Sequence, residues 1–308
     1  MNITSRVHWL SITVFGLDET AYKAFWEEFF SNILGELVEV PGGSRRGFRR
    51  LFQGLAGAKV YVDPVQISPK GNYFHIDLPG SACECLTPEQ FRSLAEYKSS
   101  FDINNAPGDP GELRISRFDL AVDDCPFTPY MVYEHYRNDL IKTFAKRSSI
   151  TWIVTPDGVK ENGEKGTSSI YIGSSSSERM LRIYDKHGFT RAELQLRGNW
   201  ADSIFLAVCK SSYSEWLSRL LGIIDRFFSV ISNWWMEFVQ LKQQVGIIIT
   251  SARVKTLDKM ARWVTKQVAP TIVVLKSIMG DQFEEMVYGS CTVKKLEKFG
   301  PVLQLGGI

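Results

Sequence analysis

"RMLRIYDKHGFTRAELQLRG", residues 179–198, reads as two β-strands joined by a short turn. In the first strand Leu181 and Ile183 alternate with Arg182, Tyr184 and Lys186. In the second, Ala192, Leu194 and Leu196 alternate with Arg191, Glu193, Gln195 and Arg197. A side-chain period of two sends the apolar set into a core and the charged set to one polar face. If "HGFT" (187–190) is the loop, Lys186 opposes Arg191 and Tyr184 opposes Glu193. Opposed side chains have Cβ atoms about 4.5–5.5 Å apart, so a phenol and a carboxylate stand side by side.

Working outward, "RISRFDLAVDD" (114–124) alternates in the same way: Phe118, Leu120 and Val122 against Arg117, Asp119, Ala121 and Asp123. Further strands are predicted over 6–16, 47–64, 71–82, 149–156 and 167–174. Helices are predicted at 18–34 after Asp18, at 87–100 after Thr87 and Pro88, and at 128–146. This order predicts an α+β fold: an antiparallel-sheet domain over residues 1–200 with flanking helices. Residues 201–308 then form a helical C-terminal region, with a helix pair interrupted at Pro270.

Composition narrows the setting. A chain of 308 residues, 44% hydrophobic and 23% charged, has the makings of a real core. Its net charge is only +2, so a nucleic-acid surface has to come from local clustering. "PGGSRRGFRR" supplies one such cluster in Arg45, Arg46, Arg49 and Arg50, for which a solvated turn is the plainer alternative. Arg253, Lys255, Lys259, Arg262 and Lys266 supply another. The apolar region from Trp216 to Ile249 is broken by five charges and reads as helices rather than a membrane span, which needs about 20 largely uncharged residues. Five cysteines without paired C-x-x-C spacing point to reduced thiols in a cytoplasm.

The three polar faces together suggest phosphodiester chemistry. A tyrosine oxygen can displace an alkoxide and hold the phosphate covalently. A divalent cation on carboxylates polarises the phosphate, and basic side chains take up the developing charge. Taken singly, each residue has a structural alternative: a tyrosine is a common strand residue, and an aspartate beside arginine is an ordinary ion pair. Asp119 and Asp123 share a face but lie roughly 13 Å apart along an unbent strand. Asp119 and Glu193 are therefore the expected direct ligands, with Asp123 at the strand end.

These stretches resemble the replication initiation factor family of rolling-circle initiators. "RFDLAVDD" is similar to its R-x-D-x-x-x-D strand, "IYIGSSSSERMLRIYDK" to its tyrosine block and "TRAELQLRG" to its R-x-E strand. "HIDLPGSACECL" and "TLDKMARWVTKQVAPTI" extend the likeness to about residues 8–290. The resemblance implies a nicking-closing transesterase with Tyr184 as nucleophile, and acidic metal positions at Asp119, Glu193 and, less firmly matched, Asp123. It implies Mg²⁺ or Mn²⁺ as cofactor and single-stranded or cruciform origin DNA as partner, with a host helicase and a homodimer as further associations. Arg182, Lys186 and Arg191 become the phosphate clamp, and Ser174, Ser175 and Ser177 become contacts to the DNA backbone. Tyr171 is the competing tyrosine, ranked second because its own face is expected to lack an adjacent basic residue. No His-hydrophobic-His pair exists among His8, His75, His135 and His187, so a carboxylate-based metal site is expected. A non-enzymatic DNA-binding protein and a water-using metal nuclease are the alternatives.

Overall fold

The predicted alternation produces one large antiparallel sheet. The structure is a computed structural model that describes residues 3–16, 20–42, 46–68, 71–104, 112–154, 167–186, 188–242, 269–280 and 282–283. Its strands are β1 (Thr4–Phe15), β2 (Val38–Glu39), β3 (Phe48–Gln53), β4 (Lys59–Pro64), β5 (Tyr73–Leu78) and β6 (Leu113–Asp123), then β7 (Ile141–Thr143), β8 (Ile150–Val154), β9 (Ser168–Ile172), β10 (Arg179–Lys186), β11 (Phe189–Arg197) and β12 (Phe228–Val230). Among the described residues ten strands form a single sheet in the order β2-β3-β4-β5-β1-β6-β11-β10-β9-β8. β1 and β6 lie together at the centre, with Leu10 directly opposite Phe118.

One side of the sheet carries the core. The helices are α1 (Ala21–Phe29), α2 (Ser31–Leu34), α3 (Gly80–Cys85), α4 (Pro88–Asn104), α5 (Pro129–Arg137), α6 (Gly198–Cys209), α7 (Tyr213–Phe227), α8 (Asn233–Phe238) and α9 (Ala269–Met279). Tyr22 and Phe25 of α1 pack on Phe74, and Phe205 of α6 meets Phe118 edge-on at 5.3 Å. Helix α7 buries Trp216, Leu220, Leu221, Ile223, Ile224 and Phe227, a stripe at helical spacing. Helix α5 starts where Thr128 accepts a hydrogen bond from Met131 N and Pro129 occupies the first turn.

Several expectations are corrected. The helix predicted to reach residue 146 stops at Arg137, because Asp139 takes a left-handed φ of 57° and ends it. Ile141–Thr143 then pairs with Phe228–Val230 as a separate two-stranded sheet inside the region expected to be helical. The chain divides into compact units at Met1–Thr250 and Ser251–Ile308. The reason is packing: α6 and α7 complete the core beneath β6 and β1. Asp18, Arg45 and the basic residues between 253 and 266 lie outside the described residues. Among the described residues no helix is long and apolar enough to cross a membrane, and Cys83, Cys85, Cys125 and Cys209 are free thiols.

Candidate active site

The site forms where β10, β11, β6 and β1 lie side by side. Strand β10 runs to Lys186 and β11 begins at Phe189, so the connection is two residues rather than four. Gly188, with a φ of 95°, adopts the left-handed backbone that this turn needs. The register is therefore shifted by one pair from the expected one: Arg182 faces Glu193, Tyr184 faces Arg191 and Lys186 faces Phe189. A two-residue shift preserves the face of every side chain. Tyr184 still meets Glu193, diagonally, its hydroxyl donating to Oε2 at 2.7 Å.

Glu193 is fully buried and gathers three partners. Arg182 Nη2 binds Oε1, Tyr184 binds Oε2, and His8 Nδ1 lies 3.3 Å from Oε1. His8 sits at a bulge of β1, where the register with β6 shifts between Val7 and Trp9. The extra residue turns His8 and Trp9 toward the same polar side, a common use of bulges beside sites. The period-two rule overlooked His8, although Arg6-Val7-His8 already alternates toward that face.

Asp119, also fully buried, is held by Arg117 of its own strand, with Nε at 3.0 and 3.1 Å from its two oxygens. Arg117 in turn lies over the Trp9 ring at 4.4 Å. Arg182 Nη2 stands 3.9 Å from Asp119, so one guanidinium lies between the two carboxylates. Asp123 belongs to a second ion group: Arg191 grips it with two N–H groups and Arg6 Nε lies 2.8 Å away. Arg6 and Arg117 were not foreseen as part of the site; both lie on the polar alternation of their strands. Arg182 Nε and Arg191 Nη1 are buried without a hydrogen-bond acceptor, on the two arginines that flank Tyr184.

These contacts set the protonation states. Burial works to raise the Glu193 carboxyl, but His8, Arg182 and Tyr184 outweigh it and hold it at about 2. Burial pushes Asp119 up to about 6 against the pull of Arg117, with the Glu193 charge adding to the rise. Burial, then the Glu193 charge and hydrogen bond, raise the Tyr184 phenol well above its ordinary value. The phenol at rest is a neutral donor. Burial and the Arg191 charge lower the Lys186 ammonium.

Other predicted residues lie elsewhere. Ser174 and Ser177 are spent on their own turn: Ser174 Oγ bonds Ser176 Oγ at 2.9 Å and Ser177 Oγ donates to Ser174 O at 2.7 Å. Arg197 donates to the Ser175 carbonyl, which places this turn at the end of β11 away from Tyr184. Arg46 reaches the buried Asp77, Arg49 pairs with Asp63, and Arg50 grips Glu39 with two N–H groups at 2.8 Å. Tyr171 pairs directly with Arg182, so the expectation that it lacks a basic neighbour on its face is corrected. What sets Tyr184 apart is the bond to Glu193.

Carboxylate oxygens are the donors that suit Mg²⁺ or Mn²⁺. Asp119 and Glu193 are such carboxylates, and His8 Nδ1 lies 3.3 Å from Glu193 Oε1. Among the described residues no three His, Cys, Asp or Glu side chains are already arranged as a metal-binding group, because the arginines occupy the carboxylates.

No curated protein sequence matches the chain. Among solved structures, that of a rolling circle replication initiator protein from Geobacillus stearothermophilus is similar in fold, with a TM-score of 0.58 at 19% identity. The match covers 79% of this chain and 99% of that one. The family model described as replication initiation factor matches residues 113–289, which run from the start of β6 through the Tyr184 hairpin and beyond α9. The chain belongs to the replication initiation factor family.

Proposed function

We propose that the chain starts rolling-circle replication by nicking one strand of its origin through Tyr184 and later rejoining the ends. The observation that carries this reading is the phenol itself. It is tied to Glu193 and flanked by two arginines that each keep an unaccepted, buried N–H. A phosphate brought beside Tyr184 meets those N–H groups, which suit the charge that develops on its oxygens.

The chemistry is a transesterification. The Tyr184 oxygen attacks phosphorus, its proton passing toward Glu193, which already accepts it. The bond from phosphorus to the 3′ oxygen breaks, and that oxygen leaves as a hydroxyl by taking up the proton. The 5′ phosphate stays on tyrosine, and reversal rejoins the strand without an external energy source. Asp119 and Glu193, with His8, are the residues that would hold Mg²⁺ or Mn²⁺, which supplies charge to polarise the phosphate. Lys186, beside Arg191 and Asp123, adds positive charge at the hairpin end of the site.

Labelled single-stranded origin DNA, incubated with Mn²⁺ and run on a denaturing gel, tests the reading. Wild-type protein gives a covalent adduct, Tyr184→Phe gives none while remaining folded and DNA-bound, and Tyr171→Phe keeps it. Cleavage that survives Tyr184→Phe without an adduct establishes water as the nucleophile instead. An adduct lost only in Tyr171→Phe moves the chemistry to that strand.

A further inference from the structure

The sheet is built from two halves with the same plan. In the first, β1 leads to α1, then to β3, β4 and β5, and β5 returns beside β1 before Gly80 opens α3. In the second, β6 leads to α5, then to β9, β10 and β11, and β11 returns beside β6 before Gly198 opens α6. The pairings agree residue by residue. Leu10 faces Leu78 as Phe118 faces Leu196, and Leu10 faces Phe118 across the seam, where a local twofold axis relates the halves. Under that relation His75 takes the place of Glu193, Tyr61 that of Arg182 and Asp63 that of Tyr184.

The first half therefore has the same platform with no tyrosine at the place of Tyr184. Its charged pairs are replaced largely by rings. Phe15 and Tyr73 lie 5.4 Å apart, Phe48 and Tyr73 5.2 Å, and Tyr61 and His75 6.0 Å. Arginines lie over two of them, Arg46 on Tyr61 at 5.5 Å and Arg114 on Phe15 at 5.8 Å. The track continues into the catalytic half. His75 and Ser11 both contact Asp77, Trp9 Nε1 donates to Ser11 at 2.9 Å, and Trp9 carries Arg117 of the Asp119 pair. Phe15, Tyr73, His75 and Trp9 are only half-buried.

We propose that this N-terminal half is a second, non-cutting DNA site that holds unpaired strand on the rings of Tyr73, His75 and Phe15. Rings and guanidiniums on a sheet accept any base by stacking, which suits a strand held without being read. The inference rests on the nicking reading for the identity of its ligand, and its test is kept separate from cleavage. Full-length protein is titrated with fluorescein-labelled oligothymidylate of about twenty nucleotides, long enough for a strand-tracking surface. Tyr73→Ala is expected to weaken binding about tenfold, one lost base stack, and Tyr73→Trp to restore it. In wild-type protein the same oligomer carrying 5-iodouracil is expected to cross-link to Tyr73, His75 or Trp9, a readout that does not depend on how the variants fold. Equal affinity of Tyr73→Ala and wild type, or cross-links confined to residues after 112, overturns the proposal. Loss of the adduct in Tyr184→Phe judges the nicking reading by itself.

Discussion

Glu193 and Asp119 share one buried field but answer it in opposite directions, and acid titration separates them. The Asp119 carboxyl is raised from 3.8 to about 6, so its contribution is complete below 3.8 and is lost as the pH rises toward 6. Glu193 is lowered from 4.5 to about 2, so its contribution is complete above 4.5 and is lost as the pH falls toward 2. Thermal unfolding followed by circular dichroism should therefore peak between the two unfolded-state values, 3.8 and 4.5. Asp119→Asn should flatten the fall on the neutral side and Glu193→Gln the fall on the acid side. A curve unchanged by both substitutions contradicts the assignment. His8→Ala removes one support of Glu193, and adduct formation should slow by about 10–100-fold with the fold intact. An unaltered rate removes His8 from the site.

At the scale of elements, the glycines of the tyrosine block hold different constraints. Gly188 has no atom within 4 Å of an added Cβ, so Gly188→Ala carries only left-handed strain, about 1 kcal/mol. At Gly173, with a φ of 106°, the new Cβ also comes within 2.8 Å of the Arg179 carbonyl oxygen. Denaturant melts should show Gly173→Ala clearly the more destabilised of the two. The strands themselves were legible because alternation depends on residue type alone: β10 begins and ends where "RMLRIYDK" does. The register was not, because it depends on how many residues form the turn, which composition does not reveal. His8 was legible in the same alternation, whereas the bulge that turns Trp9 to its side was not. The strand Phe228–Val230 escaped because its short apolar run is also what a buried helix contains.

At the scale of the molecule, the placement of the core decides what can be removed. A chain ending at residue 250 keeps every layer of the first unit and should melt as the full-length protein does, still forming the adduct. One ending at residue 200 loses α7 and most of α6, including Phe205 against Phe118, and should not fold. Limited proteolysis and melting curves of the two truncations check this. Retained origin selectivity in the longer one would take origin contacts away from the basic residues between 253 and 266.

The seam between β1 and β6 also has a consequence in time. During synthesis β1 leaves the ribosome first, whereas its central partner begins only at Leu113 and the far half of the sheet later still. Until then the nascent N-terminal half presents its longest strand, Thr4–Phe15, as an open edge able to pair with another chain. Translation rate and chaperone supply, rather than final stability, should then govern how much active protein a cell obtains.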